Sequence, residues 1–345
     1  MEGAAPSHPL APTAGPLGEL LLELLSGSPA APSLSPEAAA AIAADLLGDV
    51  AEPLADDDLQ RALYVGYELH YRGFPGIDPG WEWSPSLLAA RGVLERAFLA
   101  ALAAAVPPEG TVDPERVGER LFEIEAADEG VSLSRHVEVN ASLEQFRELA
   151  VHRSLYQLKE ADPQSWAIPR LTGAAKSALL EVQADEYGGG RPERMHSRLW
   201  AQTMRALGLA DRENAYLDRA PGTTLATVNL GSALGLQRAR RGALVGSLAM
   251  FEMTSALPNR RYGNALRRLG LGEDATDFHD EHVEADSVHE NIAAYDLAGG
   301  LGRAEPELAA DILFGARALL LLEDRFARHL LVSWEAGESS LLRPL

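Results

Sequence analysis

The chain has 345 residues, enough for two domains or one large helical domain with an extension, and carries 30 basic against 51 acidic residues, a formal charge of −21. Association with nucleic acid or an anionic membrane is driven by clustered Lys and Arg, so neither is expected as a partner. There is no cysteine; disulfides, thiolate metal sites, iron–sulfur clusters and thiol nucleophiles are excluded together, and any metal must sit on nitrogen and oxygen.

The first 60 residues hold ten acids and no base, Arg61 being the first cation. Neither a basic secretory n-region nor an Arg-rich transit peptide fits that pattern, and no apolar run reaches the roughly 18 residues of a membrane span, so a cytoplasmic location is expected. Residues 1–55 read as an acidic, partly disordered segment in which 17–25 and 36–47 can form short amphipathic helices. Residues 56–110 read as an N-terminal helical extension, two helical stretches around a Pro/Gly loop with Trp81 and Trp83. The extension carries no candidate ligand and serves either to pack on the remainder or to form a homodimer contact.

Residues 111–340 read as the main domain, with helices expected at 114–127, 141–161, 170–186, 191–207, 211–218, 223–238, 240–256, 259–269, 275–297 and 305–334. Ser142, Asp211, Thr223 and Asp274 are placed as helix caps. With only six Ile and no sustained apolar/polar alternation, strands are not expected and the fold class is all-α. The Gly188-Gly189-Gly190 triplet follows no strand and reads as a helix break rather than a dinucleotide loop.

The chemistry concentrates in His279-Asp-Glu-His282-Val-Glu-Ala-Asp286-Ser-Val-His289. At about 100° per residue, His282, Asp286 and His289 fall within a sector of about 60°, pointing two imidazoles and a carboxylate the same way. His279 lies near that stripe one turn earlier, as an alternative or outer ligand. A solvated acidic face is the competing explanation. Glu193-Arg-Met-His196 offers a carboxylate and an imidazole at i, i+3, the spacing with which helical bundles present ligands to dinuclear iron or manganese, and Asp286-Ser-Val-His289 repeats it. Glu252 sits inside ALVGSLAMFEMTSAL, where a buried carboxylate needs a cation; a bridge to Arg260 or Arg261 is the alternative. Glu160 ends a helix before Asp162-Pro163, and Glu186 closes another beside an equally acidic Asp185, so chemistry alone does not choose between those two. In the last helix, Glu323 and Arg325 read as an internal ion pair, with Arg325 as an alternative grip for a substrate carboxylate.

Taken together, LKEADPQSWAIPRLTGAAKSALLEVQADEYGGGRPERMHSRLW, then FEMTSALP, then the His-x3-Asp-x2-His helix resemble the haem-oxygenase-like diiron oxidases, the iron-containing redox enzymes, from about Glu144 to Trp334. The resemblance implies a haem-oxygenase-like helical bundle. It also implies Glu160, Glu186, His196, Glu252, His282, Asp286 and His289 as metal ligands, with Glu193 as the alternate to Glu186. Two Fe(II) ions, dioxygen as co-substrate and no haem follow from it. So does a small organic substrate, an amine or amino acid, that is N-oxygenated, desaturated or cleaved with electrons from an external donor or from the substrate itself. A helical bundle that holds iron for storage or sensing is the alternative.

Overall fold

The computed structural model describes residues 14–345, and for residues 285–288 the backbone alone. The described chain divides into two compact units, residues up to 105 with 217–229, and residues 106–216 with 230–345. Among the described residues there is no strand, and no helix is long and apolar enough to cross a membrane.

The first unit contains α1 (Pro16–Leu25), α2 (Pro36–Leu46), α3 (Asp57–Glu68) and α4 (Pro85–Ala105). Helix α1 turns Leu17, Leu20, Leu21, Leu24 and Leu25 inward. Its free N–H groups at Leu17 and Gly18 donate to the Asp58 carboxylate at 2.7 and 2.8 Å, so one of the N-terminal acids works as a helix-end anchor. The returning strand of chain at 217–229 is tied in by Asn229, whose Nδ2 donates to the Gln60 carbonyl at 2.8 Å.

The second unit contains α5 (Val117–Ala126), α6 (Leu133–Val139), α7 (Leu143–Gln157), α8 (Asp162–Ser165), α9 (Gly173–Glu186), α10 (His196–Ala206), the end of α11 (Gly222–Gly235), α12 (Arg241–Arg268), α13 (Glu273–Asn291), a π-type segment (Ile292–Ala298), α14 (Gly299–Ala304) and α15 (Ala309–Glu335). Helix α12 is the central rod, packed along its length by α13 and α15. Ser142 does cap α7, in a reciprocal capping box with Gln145.

Several expected elements are redrawn. The helices expected at 240–256 and 259–269 are one, because α12 runs through Pro258. Proline removes one intrahelical hydrogen bond, and packing on both sides of this rod outweighs that loss. Helix α6 was not foreseen, and 211–218 forms only a 3-10 turn at Leu217–Arg219. The helix expected from 191 begins at His196; Glu193 lies on a preceding 3-10 turn (Pro192–Arg194). Helix α13 is capped at Gly272, not Asp274.

Candidate metal centre

Glu160 lies just beyond α7, in a turn closed by Ala161 in the left-handed conformation, φ 71°. A left-handed alanine costs about 1 kcal/mol or more, and the turn is held by hydrogen bonds from the neighbouring helix. Gln183 Nε2 donates to the Ala161 carbonyl at 3.0 Å and the Tyr187 hydroxyl donates to Asp162 at 2.8 Å. Gln183 and Tyr187 flank Glu186 in sequence, so one set of bonds fixes both Glu160 and Glu186. The Asp-Pro stop and the Glu-Tyr-Gly turn are two sides of one junction.

The glycine triplet completes it. Gly188, at φ +76°, passes so close to the backbone of Arg194 and Met195 that a Cβ would lie 2.7 Å from the Met195 nitrogen. This contact turns the chain into α10 with His196 as its first residue. Arg194 locks the turn to α13 through Asp277, at 3.2 Å, and Glu281.

Six expected ligands meet where these elements converge. Ligand atoms of Glu160, Glu186, His196 and His282 lie within 4.8 Å of one another, and so do those of Glu186, Glu252 and His289. The two groups share Glu186. All six residues are between 1 % and 7 % exposed, which excludes a solvated acidic face as their explanation. The contacts between them are His196 Nδ1 to Glu186 Oε2 at 2.9 Å, His289 Nδ1 to Glu252 Oε2 at 3.4 Å and His282 Nε2 to Glu160 Oε1 at 3.6 Å. Of the remaining candidates, the Asp286 side chain lies outside the described residues, although its helix is described. Glu193 is exposed and in neither group. Asp185 is largely exposed yet reaches His289 Nε2 at 3.0 Å. Arg261 does not pair with Glu252: it takes hydrogen bonds to Ser132 and Ser134 instead.

The donor set fits a metal. Both Glu160 oxygens are buried without a hydrogen bond, the contact to His282 being longer than one. His282 donates Nδ1–H to the Phe278 carbonyl at 2.8 Å, which leaves the Nε2 lone pair facing Glu160 and the cluster. A backbone carbonyl holding one imidazole nitrogen so that the other can ligate is the usual support of a metal-bound histidine. Hard carboxylates with imidazoles suit iron, manganese or zinc.

Electrostatics point the same way. Burial pushes the Glu160 and Glu252 carboxyls up from their ordinary range, against the pull of nearby imidazoles. Burial pulls His289 down, but Glu252 and Asp185 outweigh it and hold it up at about 9. Groups whose folded-state pKa is raised stabilise the protein fully below the unfolded value and lose that contribution as pH rises through the folded one. The metal-free protein is therefore expected to lose stability as pH rises from about 6.5 to about 9, and Glu160→Gln, which removes a buried charge, to raise its Tm by a few degrees, about 1 kcal/mol. Thermal melts of chelated protein check both; a lowered Tm for Glu160→Gln would show that the carboxylate is satisfied without metal.

Two features had no clear sequence signal. Tyr156, one turn before Glu160, is half-buried and its hydroxyl is pushed well above 10, first by burial and then by Glu160, Glu186 and Glu252. It stays neutral, accepting a hydrogen bond from Gln164 at 3.1 Å and packing edge-on against Phe251 at 5.5 Å. Its i−4 relation to Glu160 is the one signal that could have found it. The second is a cavity of about 380 Å³. Gln157, Trp200, Ser255 and Phe278 line it, and each is three or four residues from a cluster residue: Glu160, His196, Glu252 and His282. On α10, α12 and α13 a lining residue thus stands within one helical turn, about 5.4 Å of rise, of a cluster residue, while no cluster residue itself lines the cavity. Glu323 lines the cavity and pairs with Arg153 at 2.6 Å, and Arg325 is not part of the wall.

A helical unit with a buried carboxylate–imidazole cluster near a ligand-sized cavity defines a helical protein with a candidate metal centre. Residues 147–324 match the iron-containing redox enzyme family, just over half of the chain, and the protein belongs to that family. It is also 28 % identical, over 136 residues, to the nitrosourea synthase of Streptomyces achromogenes subsp. streptozoticus. That match covers 39 % of this chain and 29 % of the relative, so the chain spans under a third of the relative's length. The chain is thus an all-α member of the iron-containing redox enzyme family, with a haem-oxygenase-like fold.

Proposed function

We propose that the protein is a non-haem diiron oxygenase or oxidase that uses dioxygen on a small organic substrate, an amine or amino acid, in specialised metabolism in the cytoplasm. The observation that carries this reading is the pair of buried ligand groups sharing Glu186. One carboxylate common to two groups suits two ions side by side, with Glu160, His196 and His282 on one and Glu252 and His289 on the other. Asp286 is proposed as the seventh ligand. When bound, the iron pair supplies the electrons and the coordination positions with which dioxygen is reduced.

The chain's own residues do the rest. The Phe278 carbonyl fixes the His282 tautomer, and Asp185, at 3.0 Å from His289, holds the imidazole that contacts Glu252. Tyr156 keeps a neutral hydroxyl at the cluster instead of a further charge. Phe251, Phe278 and Trp200 wall the cavity with apolar surface that excludes water beside the reacting end of a substrate. The likeness to nitrosourea synthase favours an amine, since the name of that relative denotes a nitrogen–nitrogen product.

Oxygen uptake by iron-loaded protein with reductant, across amines, amino acids and fatty acids, tests the reading. Uptake is expected to rise at least severalfold with an amine or amino acid. Tight iron binding with no substrate-stimulated uptake would favour the storage or sensing bundle instead.

A further inference from the structure

The two proposed halves of the centre have different surroundings. Beside the half made of Glu160, His196 and His282, the acids of α13 that flank His282 are already engaged. Asp277, at 3.2 Å, and Glu281 pair with Arg194, and Asp280 pairs with Arg267 at 2.5 Å. His279, which belongs to neither ligand group, has its Nδ1 against Asn259 Oδ1 at 2.7 Å. Lys159, next to Glu160 in sequence, is buried, so a cation borders this half.

The half made of Glu252 and His289 is different. His289 Nδ1 faces Glu252 Oε2 at 3.4 Å, and its Nε2 faces Asp185 at 3.0 Å. The Asp185 side chain is 59 % exposed, against 1 % for His289 and 4 % for Glu252, and among the described residues no arginine or lysine pairs with it. One imidazole therefore spans from a carboxylate in water to a carboxylate in the buried centre. Glu186, the ligand common to both groups, is the residue after Asp185. The setting is acidic. Glu181 is exposed one turn before Asp185 on the same face of α9. Glu290, the residue after His289, lies near enough to Glu125 to add to burial in holding that carboxyl above its ordinary range.

Taking an ion out of water in one step is costly, and a ligand that is itself partly in water divides that step. Surface charge of the opposite sign also raises the local concentration of an incoming ion and its rate of capture. Resting on the two-ion reading above, we infer that Asp185 is the entry residue of the metal centre. It captures divalent ions from solvent and passes them to Glu252, His289 and Glu186, so that this half fills first and the Glu160 half is filled through it.

Stopped-flow uptake of Co(II) by the metal-free full-length protein, followed by the visible absorbance of the bound ion, tests this. Asp185→Asn keeps an oxygen that can accept from His289 and removes only the charge. It is expected to slow the binding of both ions about tenfold or more and to flatten the dependence of the rate on ionic strength. Asp185→Glu should restore most of the rate. Glu193→Gln, the same charge change on the exposed turn before His196, should leave it unchanged, and Glu160→Ala should leave the first ion as fast as in the unaltered protein. A residue that only held His289 in place would give another pattern, native uptake rates with faster release of the ion to a chelator. The inference is overturned by that pattern, by an equal slowing in Glu193→Gln, or by a first ion that Glu160→Ala slows. Failure of the two-ion reading shows separately, in the number of Co(II) ions that the unaltered chain binds at equilibrium; a chain that binds none overturns both.

Discussion

Glu186→Ala is expected to abolish uptake at both halves of the metal centre, whereas Glu160→Ala or Glu252→Ala each spares the other half. The asymmetry follows from membership: Glu160 stands with His196 and His282, Glu252 with His289, and Glu186 with both. Losing a supporting partner of a metal ligand already costs about 10- to 100-fold in affinity, and losing a ligand to both ions should cost more than 100-fold at each. Anaerobic Fe(II) titration, with circular dichroism to confirm an intact fold, reads the three variants side by side. Equal losses would mean that Glu186 is not shared.

Gly246→Ala and Gly315→Ala are expected to destabilise by at least about 3 kcal/mol each and to lower Tm by roughly 5–10 °C. A Cβ on Gly246 would run into the Ile312 carbonyl of α15, and one on Gly315 into the Ala243 carbonyl of α12. The two helices thus meet backbone to backbone through a reciprocal pair of glycines. Both obstacles are backbone atoms in helices, which cannot turn aside as a side chain would. Gly246 is six residues from Glu252, about 9 Å of rise, so forcing the helices apart is expected to displace a proposed ligand as well. Thermal melts with iron uptake check the coupling, and Gly48→Ala, which meets nothing within 4 Å, is the neutral control.

What the sequence disclosed depended on how local the signal was. The stripe of His282 and His289 follows from helical period, and Glu252 from the energetic conflict of a carboxylate inside an apolar run; each is a property of one helix. Glu160 and Glu186 came through resemblance, because one acid at a helix end looks like another. Only the junction of Gln183, Tyr187, Ala161 and Asp162 turns Glu186 inward and leaves its neighbour Asp185 exposed. Glu193 had attractive spacing, but Pro192 begins a 3-10 turn rather than the helix the spacing assumed. The continuity of α12 through Pro258, the place of 217–229 in the first unit and the role of Tyr156 all depend on tertiary contacts. No periodicity within a single segment reports them.

The central claim is that this chain holds two iron ions on one shared carboxylate. It is tested most directly by loading the protein anaerobically with Fe(II), removing unbound iron, and measuring iron per chain before and after admitting oxygen. Two irons per chain are expected, with oxygen taken up by the iron-loaded protein and not by the metal-free one. One iron or none, or two irons retained with no oxygen uptake, would contradict it.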